Sequence, residues 1–133
     1  MRDSTDRVVA WAIGGIGLLH IGVTPLAYPG WTMSAMWFAS GGLAMVFLAM
    51  LNLLRNRYAR VAPGLRWVCA AANIMLAVFC AAVMAAMPGG AARIPQGIIL
   101  MTLVLAATVF SLKKPPRLWS IFDERKPTQR RAA

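Results

Sequence analysis

Four long apolar runs divide the chain, and none of them contains an acidic or a basic residue. They cover residues 8–28, 33–54, 67–87 and 94–112. Each run has about 20 residues, the length that a helix rising about 1.5 Å per residue needs to cross a hydrocarbon core of about 30 Å. A membrane barrel strand needs about half that length and alternates polar with apolar positions, which these runs do not. The pattern predicts four membrane-spanning helices.

Composition supports this interpretation. Apolar residues make up 59% of the chain and charged residues 14%, whereas soluble domains average roughly 45–50% and about 25%. Because the segments between the runs are short, neighbouring helices are predicted to run antiparallel. The expected fold is an all-α integral membrane protein, an up-down bundle of four transmembrane helices in residues 1–114. Residues 115–133 are expected to form a basic cytoplasmic tail, partly interfacial or disordered, since Pro115 and Pro116 should end the fourth helix.

Basic residues are unevenly distributed between the two ends of the predicted helices. The chain has 14 Lys and Arg against four acidic residues, giving a formal net charge of +10. All of the basic residues except Arg93 precede the first run, separate the second from the third, or follow the fourth. The positive-inside rule therefore predicts that both termini and the 55–66 segment are cytoplasmic. A bacterial inner membrane is the expected location.

The same charges bear on the expected partners. A strongly basic chain can bind nucleic acid, but these charges flank the ends of apolar runs, so nucleic acid is not an expected partner. Anionic lipid headgroups attract each nearby Lys or Arg by about 1 kcal/mol, so we expect the bilayer itself to be their partner. Small residues on several predicted helices favour close helix contact, within a homo-oligomer or a larger membrane complex.

The third run carries the clearest stripe of small residues. Cys69, Asn73, Ala77, Ala81 and Ala85 recur every four positions and therefore share one helix face. Helices in lipid associate through close packing, so the stripe predicts that the third helix lies at the heart of the bundle. Asn73 is expected to hydrogen bond to another helix.

Few polar residues interrupt the runs, and His20 is the only histidine. Thr24 lies one turn later on the same face. An ionisable group within a membrane is a functional hypothesis by default, although a neutral histidine bonded to a backbone carbonyl would be structural. His20, Thr24, Ser40 and Asn73 are the candidate ligand-binding residues. Ser and Thr hydroxyls are expected to bond to the carbonyl one turn back, and Asn52 is expected to help end the second helix.

Two cofactor hypotheses involve His20. Histidine is an axial haem ligand, but a single histidine requires a second copy of the chain or a methionine to complete a haem or quinone-associated redox site. Soft thioether and thiolate groups suit monovalent copper. Several methionine side chains and one cysteine are predicted to lie near the level of His20. Methionine is, however, also a common residue of apolar helices, where it fills space in the core. The candidate copper ligands are His20, Met33, Met36, Cys80, Met84 and Met87.

In length and predicted topology the chain resembles the small multidrug resistance transporters, which are short four-helix proteins that work as dimers. Small DoxX-like membrane proteins share this outline. The transporter family carries an essential glutamate in its first helix, whereas Gly14 and Gly15 occupy that region here. All acidic residues are predicted to be cytoplasmic, which leaves His20 as the group that could exchange protons near neutral pH. These acids are Asp3, Asp6, Asp123 and Glu124.

The expected function is that of a small, non-enzymatic membrane protein that binds a lipid, a hydrophobic ligand or a larger membrane partner. An enzyme is not expected, because no nucleophile–base pair, paired carboxylates or phosphate-binding loop can be assembled. Cys69 and Cys80 lie about 16 Å apart along one helix, too far for a disulfide between them. Two alternatives remain open: an oligomeric transporter or binder of small molecules or copper, and a haem- or quinone-associated redox subunit.

Overall fold

The computed structural model describes residues 2–86 and 94–113, and its regular structure is entirely helical. The prediction of an all-helical chain with four helices is confirmed. Residues 115–133, Met87 and Arg93 lie outside the described residues, so the expectations for them stay predictions. The helices are α1 (Arg2–Ala27), α2 (Met33–Tyr58), α3 (Leu65–Ala86) and α4 (Ile94–Leu112).

Three of these helices are long and apolar enough to cross a membrane. The qualifying spans are Ser4–Ala27, Met33–Tyr58 and Leu65–Ala86. The apolar segment of α4, Gly97–Leu112, is shorter. Three of the four apolar runs therefore form helices of the length and composition that they predict, and the fourth forms a shorter apolar helix.

The first two helices extend beyond their apolar runs. α1 begins at Arg2 rather than at residue 8, and α2 continues to Tyr58 rather than ending at residue 54. The added turns contain Asp6 and Arg55, two buried charged residues that bind each other. The apolar runs stop at these charged residues, but the helices continue past them. Each side chain can stay buried because it is paired with the opposite charge.

Contacts between consecutive helices establish an antiparallel order. Asp6, near the start of α1, binds Arg55, near the end of α2. Asn52 of α2 binds Asn73 early in α3, and Asn73 binds Ser111 in the last turn of α4. α1 packs against α2 and α4, while the backbones of α1 and α3 do not approach each other closely within the described residues, so these two helices lie diagonally across the bundle.

The two ends of the bundle differ in charge. We call the charged end the one at which α1 and α3 begin and α2 and α4 end, and the other the opposite end. Within the described residues, every Lys and Arg lies at the charged end or in the 59–64 segment that joins α2 to α3 there. These residues are Arg2, Arg7, Arg55, Arg57, Arg60, Arg66 and Lys113.

The closest backbone approach joins α1 to α2. A Cβ atom added to Gly17 would lie 2.6 Å from the carbonyl oxygen of Gly42, and one added to Gly42 would lie 2.7 Å from that of Gly17. Both distances are shorter than real Cβ contacts, so only glycine fits at either position. Because each glycine removes a side chain, the two helices pack backbone to backbone.

The small-residue stripe of α3 is buried over only part of its length. Cys69, Asn73 and Ala77 are buried, but Ala81 and Ala85 are exposed. The most extensive helix contact in the bundle is between α1 and α2, and α3 packs mainly against α4. The prediction that α3 lies at the heart of the packing was therefore wrong. The four-residue spacing of the stripe identifies one face of α3, but it does not show over what length another helix packs against that face.

The two helix pairs, α1–α2 and α3–α4, share an apolar core in the middle of the bundle. Ile13, Met45, Ala77 and Val104 contribute to it from all four helices. Toward the opposite end the pairs bury less. On α2, Ala35 and Gly42 lie on the face that meets α1, whereas Met33, Met36 and Trp37 are exposed, as are Met84 and Ala85 of α3.

Substitution of Gly42 tests the α1–α2 contact. Gly42→Ala should lower the free energy of unfolding by about 1–3 kcal/mol, because the added methyl group collides with the Gly17 carbonyl and forces the helices apart. Gly41→Ala is the matched control, since a Cβ atom at Gly41 meets nothing within 4 Å. Thermal denaturation in mild detergent measures both, and equal melting temperatures for the two variants would contradict the close approach.

Candidate functional site

A buried ion pair joins three helices at the charged end. Asp6 is 6% exposed and Arg55 is 5% exposed. The Nη2 atom of Arg55 lies 2.7 Å from both carboxylate oxygens of Asp6, and Nη1 donates to the carbonyl oxygen of Phe110 at 3.2 Å. The Arg55 guanidinium therefore connects α2 to both α1 and α4.

The bond from Arg55 also helps to complete the end of α4. Phe110 lies in the last turn of this helix, where carbonyl oxygens lack partners within the helix. A cation there also interacts favourably with the negative end of the helix dipole. One side chain thus neutralises a carboxylate and satisfies a backbone carbonyl on different helices.

Next to the ion pair, three polar side chains link α2, α3 and α4. Asn52, Asn73 and Ser111 are all fully buried. The Asn52 Nδ2 donates to the Asn73 Oδ1 at 2.9 Å, and the Asn73 Nδ2 donates to the Asn52 Oδ1 at 3.2 Å and to the Ser111 Oγ at 3.3 Å. Ser111 also donates to the Ala107 carbonyl at 2.8 Å. We call these three residues the amide–hydroxyl cluster.

The interhelical hydrogen bond predicted for Asn73 is confirmed. Asn52 was expected to help end α2, but it lies inside the helix and pairs with Asn73. The sequence analysis did not identify Asp6, Arg55 or Ser111 as site residues. Asp6 and Arg55 are charged and lie just beyond the apolar runs, which predict the helix ends. Helical periodicity carries a usable signal: the buried positions of α2 continue at three- and four-residue steps through Asn52 to Arg55.

One inference about acidity was wrong. The first helix was predicted to begin at about residue 8, which left Asp6 outside it, but Asp6 is buried in α1 against Arg55. The cytoplasmic side predicted for it stays a prediction. Pairing with a guanidinium offsets the cost of removing a carboxylate from water. His20 is therefore not the only ionisable group inside the bundle.

His20 is packed between α1 and α2 toward the opposite end. Its Nδ1 atom lies 3.2 Å from the Ile16 carbonyl oxygen, to which it can only donate because a carbonyl oxygen is an acceptor. The imidazole stacks on Phe38, with ring centroids 4.5 Å apart and an interplanar angle of 18°. These contacts match the structural role considered for a neutral histidine, and they leave Nε2 as the atom that a ligand would use.

The four candidate ligand-binding residues do not form one site. Thr24 is buried beside His20 and donates to its carbonyl oxygen at 2.8 Å. Ser40 is exposed and donates to the Met36 carbonyl at 2.7 Å. Asn73 belongs to the amide–hydroxyl cluster at the charged end. The expectation that Ser and Thr hydroxyls bond to the carbonyl one turn back is confirmed at Thr24 and Ser40.

The candidate copper ligands that the structure describes are distributed over different faces of the bundle. Met33 and Met36 lie on an exposed face of α2. Cys80 is buried in the central core on α3, and the backbone of α1, the helix that carries His20, does not approach that of α3 closely within the described residues. Within the described ranges, no three His, Cys, Asp or Glu side chains are grouped to hold a metal ion. The copper and haem hypotheses stay predictions.

Two lateral grooves open toward the opposite end. The larger, which we call the α3–α4 groove, has a volume of about 330 Å³. The smaller, about 190 Å³, lies along α2 beside Met36 and Trp37. In the α3–α4 groove the Thr102 hydroxyl is bonded to the Ile98 carbonyl at 2.8 Å, so the lining is almost entirely apolar. Its lining residues are Ala81, Met84, Ile98, Met101 and Thr102.

Both cysteines are free and buried, as the distance along α3 predicts. The Cys69 thiol donates to the Leu51 carbonyl at 3.4 Å. It also lies within electrostatic range of Arg55 and Asp6. Cys69 is therefore next to the ion pair, whereas Cys80 packs in the central apolar core.

Comparisons of the chain with known protein families, curated proteins and solved structures find no match. A function therefore has to be inferred from the residues and contacts of this chain.

Removing one member of the amide–hydroxyl cluster tests its contribution. Asn73→Leu should lower the free energy of unfolding by about 1–3 kcal/mol, because it leaves buried polar groups of Asn52 and Ser111 without their partner. The double variant Asn52→Leu, Asn73→Leu should lose less than the single variant, since both amides are then gone. Thermal denaturation with Ser40→Ala as the control measures this, and additive losses in the double variant would contradict the pairing.

Proposed function

We propose that the chain is a multi-pass membrane protein of a bacterial inner membrane, with both termini in the cytoplasm. Large apolar side chains are exposed on every helix, including Trp11, Phe47, Val78 and Ile99. Apolar surface on this scale is unfavourable in water and expected in lipid. The concentration of described basic residues at the charged end supports a cytoplasmic position for that end.

Cysteines introduced into the two described loops test this orientation. Gly30→Cys lies at the opposite end and Gly64→Cys at the charged end, and an added side chain meets nothing at either position. In a cysteine-free background, a membrane-impermeant maleimide should label Gly30→Cys in intact spheroplasts and Gly64→Cys in inverted vesicles. Labelling of both sites from one side would contradict the four-span topology.

Within this setting, we propose that the protein binds an apolar ligand, either a lipid chain or another hydrophobic molecule, and that its role is non-enzymatic. The supporting observation is the α3–α4 groove, whose volume falls at the lower end of the range of about 300–1,000 Å³ that small-molecule sites occupy. It opens sideways toward the region that lipid would fill. Its apolar lining can contact a hydrocarbon chain without leaving a polar group unsatisfied.

Native mass spectrometry of protein extracted in mild detergent tests this proposal. The wild-type chain should retain extra mass that corresponds to a lipid or another small apolar molecule. Ala81→Trp should lose most of that mass, because the indole occupies the groove. Val78→Trp is the matched control, since Val78 is exposed on the same helix and does not line the groove.

The alternatives produce different masses. A wild-type chain without bound mass, or equal retention by Ala81→Trp, would contradict a ligand in the groove. Extra mass of protein size would favour the larger membrane partner over the small ligand. Multiples of the chain mass would indicate a homo-oligomer.

A further inference from the structure

We propose that the Asp6–Arg55 ion pair, with its bond to the Phe110 carbonyl, is a latch that closes the charged end of the bundle. Its release would separate α1 and α2 from α4 at that end and expose Cys69. The latch joins three helices through one guanidinium, whose Nη2 binds Asp6 and whose Nη1 binds the Phe110 carbonyl. This proposal is independent of any ligand in the α3–α4 groove.

The energetics of a buried ion pair favour a switching role over simple stabilisation. Removing a carboxylate and a guanidinium from water costs several kcal/mol for each ion, and apolar residues of similar size often stabilise a core equally well. The Arg55 Nε atom is also buried without a hydrogen-bond partner in the described structure. The ion pair therefore stabilises the bundle less than well-packed apolar residues could. It differs from them in that both of its charged groups are also stable in contact with water.

Two states follow from the same cost. In the closed state each charge is neutralised by the other, and in an open state water solvates both. A half-open state, with one charge still buried alone, is strongly unfavourable. The pair therefore favours either full closure or full opening, which is the behaviour required of a bistable element.

The position of the latch makes opening feasible. Asp6 is the fifth residue of α1, Arg55 lies three residues before the end of α2, and Phe110 lies two residues before the end of α4. A separation of the helix ends by a few ångströms would bring water to the charges without unwinding a helix. The apolar core in the middle of the bundle, which includes Ile13 and Val104, can remain packed and act as the fulcrum.

Cys69 is a native reporter of this movement. It is fully buried, lies within electrostatic range of both latch residues, and packs between α3 and α2 through its bond to Leu51. Cys80 lies about 16 Å further along α3, within the central core. Opening of the charged end alone should expose Cys69 and leave Cys80 protected.

Thiol labelling tests the latch. Two single-cysteine backgrounds, Cys80→Ala and Cys69→Ala, report on Cys69 and Cys80 respectively, and a hydrophilic maleimide is applied to the protein in mild detergent. Asp6→Asn and Arg55→Gln should each raise the labelling rate of Cys69 by at least about tenfold, because one buried charge is left uncompensated. The labelling rate of Cys80 should stay at its wild-type value.

Further variants provide the controls. Arg57→Gln removes an exposed cation from the same helical turn and should leave both labelling rates unchanged. Arg55→Lys keeps the charge but loses the planar group that reaches both Asp6 and Phe110, so it should raise Cys69 labelling by a smaller factor. The double exchange Asp6→Arg, Arg55→Asp should restore part of the protection that each single change removes.

The outcomes separate a latch from a general support. Unchanged Cys69 labelling in Asp6→Asn and Arg55→Lys would overturn the proposal. An equal rise at Cys69 and Cys80 would also overturn it, because the whole bundle would then be loosened. If Arg55→Gln does not fold, the near-isosteric Asp6→Asn and the charge-conserving Arg55→Lys still decide the question.

Discussion

The contact between Asp6 and Arg55 determines how the helices are aligned. A charged pair inside a bundle is stable only when its geometry is good, so it fixes the height of α1 relative to α2. Through the Phe110 carbonyl it also fixes the height of α4. With the helices aligned in this way, Asn52, Asn73 and Ser111 lie at the same level of the bundle and can form the hydrogen bonds of the amide–hydroxyl cluster.

Different physical contacts hold the two ends together. Directional polar bonds connect all four helices at the charged end, whereas toward the opposite end the closest contact is the backbone approach of Gly17 and Gly42. In the proposed membrane setting, lipid would provide little hydrophobic force between helices, so close packing and interhelical hydrogen bonds would supply the association. At the charged end, polar bonds consequently connect the α1–α2 pair to the α3–α4 pair. At the opposite end, the main contacts lie within each pair.

The sequence predicts the helices better than it predicts their contacts. Apolar runs identify four helices, and the bounds of α4 agree with its run, because hydrophobicity reports directly on segment length. Apolar runs stop at charged residues, so they place Asp6 and Arg55 beyond the helix ends, because hydrophobicity does not show whether two charged residues pair. Spacing placed Ala81 on the face of Asn73, but it could not show that no neighbouring helix covers that position.

The Gly17–Gly42 contact has a consequence for biosynthesis. It joins two helices that are consecutive in the chain, so the hairpin of α1 and α2 can form as soon as α2 has been made. Asp6 and Arg55 belong to that hairpin and can pair at this stage, whereas the bond to the Phe110 carbonyl must wait for α4. The α1–α2 hairpin can therefore be in place before α4 is made, and the Phe110 carbonyl is the last partner that Arg55 gains.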